Sequence, residues 1–208
     1  MRPEKFGVLM IVSGPSGTGK STICRELLKK YPNLHFSVSC TTRAPRPGEE
    51  NGKDYYFISK DEFRKKIKQH AFLEYAKVYS NFYGTLKSEV IAKLKSGVDV
   101  LLDIDVQGAM KIKNKSRKDA LLRRCLEMVF IGPPSFAELE RRLKSRATEN
   151  KDIIEKRLHN AKKELNFWKK YDYLIINKEL NKAISDISCL LDILHKKTSR
   201  LKDSGFYD

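Results

Sequence analysis

The sequence predicts an α/β fold, a three-layer sandwich with helices on both faces of a central parallel sheet. Three observations lead there. Four apolar runs, at residues 6–12, 98–106, 126–131 and 173–176, read as strands buried on both faces. Stretches with helical spacing separate them, the order that builds a parallel sheet. No Pro/Gly/Ser-rich linker and no internal repeat divides the 208 residues, so a single domain over 1–208 is expected.

The elements follow in order. The strand at 6–12 runs into a Gly-rich turn, and a helix over 21–30 places Ile23, Leu27 and Leu28 on one side. Pro32 stops that helix, because proline cannot extend it. Residues 35–42 read as one short strand, and 43–52 carry turn chemistry without apolar periodicity. A strand at 55–58, a helix at 60–69 and a strand at 72–79 come next. A helix over 89–95 stops at Gly97, and the strand at 98–106 follows. After the strand at 126–131, Ser135 with Glu138 three residues on reads as a capping box opening a helix to about residue 145. A helix over 152–168, the strand at 173–176 and a last amphipathic helix carrying Ile184, Ile187, Leu191 and Leu194 complete the chain. Two insertions stand out against this core: a β-rich one over 37–95 and a helical, arginine-rich one over 135–160.

Composition narrows the class. Apolar residues make up 40% and charged residues 33%, too apolar for a disordered chain. No apolar run reaches the roughly 18 residues of a membrane span, and 6–12 lacks a signal-peptide cleavage site, so a cytoplasmic protein without a membrane partner is expected. Cys24, Cys40, Cys125 and Cys189 are too scattered for a zinc ribbon or a redox pair, and the four histidines are equally dispersed. Free thiols and no protein-ligated structural metal follow. The net charge of +16 suits either anionic substrates with solvated lysine faces or nucleic acid. Aromatic residues do not interleave with the basic runs, so nucleic acid ranks last among partners.

One motif carries chemistry by itself. Gly14-Pro15-Ser16-Gly17-Thr18-Gly19-Lys20-Ser21 satisfies the phosphate-loop pattern between an apolar strand and a helix. Its backbone N–H groups and the helix N-terminus attract phosphate. Lys20 reaches the β- and γ-phosphates, and the Ser21 hydroxyl is placed for Mg²⁺. The motif specifies a nucleoside triphosphate with Mg²⁺ and leaves the reaction open.

A second set of residues is more specific. Residues 37–49, followed by Gly52-Lys53-Asp54-Tyr55-Tyr56-Phe57, closely resemble the GMP-binding segment of guanylate kinases. Phe72-Leu73-Glu74-Tyr75-Ala76, Tyr83-Gly84-Thr85, residues 102–109 and Gly132-Pro133-Pro134-Ser135 resemble that family in the same order. The resemblance covers about residues 7–195. It implies ATP and GMP, and by extension dGMP, as substrates, with 37–95 as the GMP-binding region and 135–160 as a lid. Cys40 and Ser80 depart from the family pattern, and neither removes a group the chemistry needs.

The residue types fit that chemistry. Guanine's edge offers donors at N1 and N2 beside the O6 acceptor, so carboxylates and hydroxyls suit it, and a site built on such bonds rejects adenine. The resemblance puts Glu74 and Asp105 on the donors and Ser39 and Thr85 around O6. It puts Arg43 and Arg46 on the GMP phosphate, with Glu49, Tyr55 and Tyr83 in the same site. Arginine forks suit a dianionic phosphate. Asp103 and Asp105, two apart on the expected strand, are read as sharing a face. The resemblance puts Asp103 nearer the Mg²⁺ water shell and Asp105 nearer guanine. On spacing alone, the arginines of the helical insertion fit a salt-bridged surface. The resemblance makes Arg142, Arg146 and Arg157 lid residues, catalytic with Lys20 and Arg43, and leaves Arg141 on the surface. The alternative is a non-catalytic guanylate-kinase-like binding module, against which the intact Lys20 and Ser21 stand. The sequence leaves monomer and dimer both open.

Overall fold

The computed structural model describes residues 4–78, 80–145 and 151–202, with side chains omitted at 151–153. Its centre is a five-stranded sheet in which every pairing is parallel. In spatial order the strands are β2 (His35–Phe36), β7 (Val100–Asp103), β1 (Leu9–Ser13), β8 (Leu126–Gly132) and β9 (Tyr173–Ile176). All five residues of β1 are buried, which explains why Leu9 to Val12 are apolar without a break before Ser13. Met10 and Val12 face one way, toward Ile23 and Leu27 of α1 (Lys20–Lys30) and Ile187 and Leu191 of α8 (Leu180–Leu194). Leu9 and Ile11 face the other way, toward α3 (Lys87–Lys95), α4 (Val106–Ser116) and α5 (Ala120–Cys125). The alternation of one strand thus supplies both cores of a three-layer sandwich.

A second sheet of four strands lies between residues 40 and 86. Its order is β4 (Tyr56–Phe57), β3 (Cys40–Thr41), β6 (Asn81–Leu86) and β5 (Phe72–Val78), and α2 (Lys60–Lys68) lies in the same stretch of chain. Phe63 of α2 stacks on Phe72 and Phe82, with ring centroids 4.5 and 5.3 Å away. The remaining helices are α6 (Phe136–Lys144) and α7 (Lys151–Leu165), which pack together through Leu139, Leu143 and Ala161.

Several sequence expectations are corrected. The strand expected over 35–42 is two strands in different sheets, broken at residues 37–39, where the chain leaves the central sheet. The strand expected over 98–106 ends at Asp103, and Asp105 instead caps α4, accepting from Gln107 N at 2.7 Å and Gly108 N at 2.9 Å. Two orphan amides of the helix start satisfy that carboxylate, so Asp103 and Asp105 do not share a strand face. Ser135 caps α6 by accepting from Glu138 N, but the Glu138 carboxylate turns to Arg141 and Arg142 rather than completing the box. The reciprocal box occurs at Ser59 and Glu62, where α2 begins. The helix expected over 152–168 ends at Leu165. Strand β6 and helix α5 carried no clear sequence period.

Candidate active site

The C-terminal ends of the central strands open on a cleft of about 670 Å³. Gly14, Lys20, Ser21, Tyr55, Asp103 and Asp105 line it, with Arg157 and Glu164 of α7 on the far wall. Ligands of open α/β sheets bind at this edge.

The phosphate loop is built by backbone geometry. Gly14 holds φ +141°, and a Cβ there would lie 2.3 Å from the Ile131 carbonyl oxygen. Gly19 holds φ +88° as the residue before α1 and gives that helix no side-chain cap. The first amides of α1 are therefore left for a ligand, beside the positive end of the helix dipole. The Lys20 ammonium donates to the carbonyls of Gly14 at 2.6 Å and Pro15 at 2.9 Å, which holds it inside the loop. Thr18 is buried and closes the turn on Pro15 O at 2.9 Å. Ser16 lines the cleft, and Gly17 packs against Leu139 and Leu143 of α6.

Ser21 and Asp103 meet directly: the hydroxyl donates to Asp103 Oδ2 at 2.8 Å. Two hard oxygen donors are thus joined at the mouth of the loop. Among the described residues no group of three His, Cys, Asp or Glu side chains forms a metal cage.

Glu74 lies deeper. It is 5% exposed on β5, and Thr85 of β6, fully buried opposite it, donates to its Oε1 at 2.9 Å. Burial pushes the Glu74 carboxyl up to about 7, with Asp105 adding to the rise and the Thr85 bond opposing it. A Cβ at Gly108 would approach Glu74 Oε2 to 2.8 Å, so any larger residue there would push the Glu74 carboxylate aside. The amide of Gly108 also binds Asp105, so one residue of α4 touches both carboxylates' surroundings.

The arginine loop lies beside Tyr55. The Arg43 guanidinium forks onto Glu49 at 2.8 and 2.9 Å and lies 5.3 Å from the Tyr55 ring centre. Glu49 also accepts from the Arg46 amide at 2.7 Å, while the Arg46 side chain is exposed. The Glu49 bond holds Arg43 firmly protonated, and Arg43 in turn lowers the Glu49 carboxyl. Tyr55 and Tyr83 meet edge to face at 5.9 Å. Ser39 sits between β2 and β3, its carbonyl accepting from Tyr56 N.

Of the arginines expected in a lid, Arg142 donates to Glu138 at 2.8 Å and to the Asn177 carbonyl at 3.0 Å. Arg157 lines the cleft, and Arg146 lies outside the described residues. Arg141 is exposed and bound to Glu138, the surface role expected of it. The two arginines hold the Glu138 carboxyl down to about 2. The cleft therefore gathers Gly14, Ser16, Lys20 and Ser21 of the phosphate loop with Tyr55, Asp103, Asp105 and Arg157, while Pro15, Gly17, Thr18 and Gly19 of the loop lie outside its lining. Ser39, Arg43, Arg46, Glu49, Glu74, Tyr83, Thr85 and Arg142 lie outside its lining.

The model of the family described as "Guanylate kinase" matches residues 7–194. The chain belongs to the guanylate kinase family. It is 46% identical over 198 residues to a guanylate kinase of Clostridium tetani, covering 95% of this chain and 91% of that one. It is 44% identical over 203 residues to a guanylate kinase of Caldanaerobacter subterraneus subsp. tengcongensis, covering 98% and 95%. The crystal structure of guanylate kinase from Anaplasma phagocytophilum superposes with a TM-score of 0.79 at 34% identity, covering 97% of this chain and 93% of that one.

Two residues of this guanylate kinase chain escaped the sequence reading. Asn177 is 5% exposed and its amide donates to Thr18 O at 2.8 Å, bracing the phosphate loop from the end of β9. Glu164 lines the cleft from α7, and burial raises its carboxyl, with Lys20 opposing. Neither belongs to a local motif. Only the helix period over 152–168 pointed toward Glu164.

Proposed function

We propose that this chain transfers the terminal phosphoryl group of ATP to GMP, and to dGMP, forming ADP and GDP, with the site residues in the following roles. The observation that carries the reading is the buried Glu74–Thr85 pair, set beside Asp105 and near a complete phosphate loop. A buried carboxylate held by the Thr85 hydroxyl on one oxygen is suited to guanine's paired N–H donors. Asp105 keeps one oxygen on its helix cap and offers the other toward the base. Ser39 and Thr85 stand near O6. Residues 37–95 form the GMP-binding region and 135–160 the lid of one domain over 1–208.

Arg43, Arg46, Tyr55 and Tyr83 hold the GMP phosphate, and Glu49 sets the plane of the Arg43 fork. The attacking oxygen is already anionic at neutral pH, because a phosphate monoester loses its second proton near pH 6. No general base is needed, so catalysis rests on alignment and charge neutralisation. Lys20, released from the loop carbonyls, meets the β- and γ-phosphates, with the open amides of α1 around them. Arg142, Arg146 and Arg157 complete the charge balance as the lid closes, and closure keeps water from the phosphoryl group.

Ser21 and Asp103 present the hard oxygens that fit Mg²⁺ carried by ATP, Ser21 directly and Asp103 through water. Bound there, Mg²⁺ supplies neutralisation of the phosphate oxygens. We assign the chain to the cytoplasm because all four cysteines are unpaired, three of them buried. No described helix is long and apolar enough to cross a membrane.

The test is turnover with ATP and Mg²⁺ across GMP, dGMP, AMP, CMP, UMP and dTMP. GMP-selective formation of GDP, abolished by Lys20→Ala, establishes the reading. Transfer to another monophosphate overturns the guanine assignment and leaves the phosphate loop intact. Binding of GMP with no transfer to any acceptor turns the assignment to the non-catalytic module.

A further inference from the structure

Strand β5, which carries Glu74, is an edge strand of the second sheet, with β6 on one side only. Its outward carbonyls have no strand to accept from. Helix α4 supplies the missing donors. The Lys111 ammonium donates to Tyr75 O, and the Lys115 ammonium donates to Leu73 O, with Phe72 O at 3.4 Å. Lys111 also lies 5.2 Å from the centre of the Tyr75 ring. Lys113, between them, points elsewhere and binds Lys170 O.

The spacing explains the fit. Residues four apart on a helix lie on one face and rise about 6 Å. Carbonyls two apart on a strand point the same way and are separated by about 6.6 Å. Lys111 and Lys115 therefore match Tyr75 and Leu73 as a two-point clamp. Glu74 is the residue between the two clamped carbonyls. The register of β5 on β6 shifts between Phe72 and Glu74, so the ladder alone does not fix this stretch. The other end of α4 is tied to the same site, through Asp105 as its cap and Gly108 against Glu74 Oε2.

We infer that Lys111 and Lys115 are positioning residues for guanine recognition, holding the Glu74 carboxylate at a fixed distance from Asp105 through the rigid span of α4. The inference rests on the reading of Glu74 as a guanine-binding group. The clamp also has an electrostatic arm. Lys111 favours the ionised form of Glu74; burial, then Lys87 and Lys111, lower the Lys115 ammonium, and Glu74 opposes that fall.

The test is steady-state kinetics of Lys111→Met/Lys115→Met, which keeps the aliphatic stems and removes both donors. The GMP KM should rise about tenfold, the loss expected for a pair of bonds acting through a strand, while ATP KM and kcat stay within about twofold. The pH at which GMP KM improves should move upward, since two cations that favour ionised Glu74 are gone. Lys111→Arg/Lys115→Arg should restore the wild-type GMP KM. The single methionine variants, each keeping half the clamp, carry the test if the double variant does not fold. Glu74→Gln is run beside them. If it raises GMP KM and the methionine variants do not, the clamp is wrong and the Glu74 reading stands. A parallel loss of kcat and of both KM values overturns the clamp in favour of a merely structural role. No effect of Glu74→Gln overturns the Glu74 reading itself.

Discussion

Thr85 and Glu74 face each other across the β5–β6 pair, both buried, and the Thr85 hydroxyl donates to Glu74 Oε1 at 2.9 Å. The bond lowers the carboxyl, but burial outweighs it and leaves the group near 7 against an ordinary 4.5. In the unfolded chain the proton leaves at lower pH than in the folded one. The unliganded fold therefore gains stability from Glu74 below pH 4.5 and loses it as pH rises through about 7. The full shift corresponds to about 3 kcal/mol. Glu74→Gln should accordingly raise the thermal midpoint relative to wild type at pH 8 and not at pH 4, in the absence of nucleotide. Melts at the two pH values read this directly.

The same carboxylate gives a second, opposite pH dependence in binding. Guanine's N–H donors need the ionised form, so GMP affinity should increase as pH rises through about 7. The GMP phosphate also titrates, near pH 6, and contributes its own limb. Titration calorimetry with GMP separates the two. Glu74→Gln should weaken binding by about a hundredfold, within the range for a site whose buried partner is lost, and keep only the limb near pH 6. An unchanged pH profile in that variant would exclude Glu74 from the base contact.

Asp103 and Ser21 are separated by 82 positions in sequence and joined by one bond of 2.8 Å. Asp103→Asn keeps the shape and removes the charge beyond the Ser21 hydroxyl. Activity should fall about 10–100-fold, as for partners that orient a metal's contacts, and the Mg²⁺ concentration for half-maximal rate should rise. A rate loss that no Mg²⁺ concentration lessens counts against the assignment.

Much of the fold is legible in sequence because its signals are local. Strand β1, the loop 14–21 and α1 each declare themselves within a few residues: four consecutive buried apolar residues before Ser13, glycines at the turns, and a helix period. Signals that depend on distant partners are not legible. Asn177 braces Thr18 from 159 positions away, and nothing near Asn177 announces it. Strand β6 carries Asn81, Gly84 and Thr85, a composition suited to a loop, and becomes a strand because β3 and β5 pair with both its edges. Asp105 follows an apolar run and looks like its continuation, yet the ladder with β1 ends at Asp103, and the free amides of α4 claim the next carboxylate. The residues proposed for guanine were assigned through resemblance, since a strand glutamate by itself carries no sign of burial.

Asn177 gives the third site prediction. Its amide is the buried partner of Thr18 O, and Gly19 passes so close that a Cβ there would lie 2.5 Å from Asn177 Nδ2. Asn177→Ala leaves that carbonyl without its partner inside the loop. Stability should fall by about 1–3 kcal/mol. The ATP KM should rise while the GMP KM holds, because the phosphate loop loosens and the second sheet is untouched. Urea unfolding and the two KM values together check it.

The last prediction concerns the opposite end of the sheet, away from nucleotide. Glu127 on β8 is 2% exposed and accepts from Arg200 at 2.8 Å, Lys197 at 2.7 Å and Tyr173 at 3.2 Å. Arg200 is also 2% exposed, in the turn that brings Leu201 against Lys5. The pair ties the end of the described chain to β8 of the central sheet. A buried charge left wholly unpaired costs about 3–5 kcal/mol, but Arg200→Met leaves Glu127 the half-exposed Lys197 as its cation, so the loss should be smaller than that. Glu127→Met/Arg200→Met, which removes both buried charges, should recover part of the loss. Both variants should keep the wild-type GMP KM at temperatures where they are folded. A double variant no more stable than Arg200→Met would show that the segment is held by Lys197 and backbone contacts instead of the buried pair.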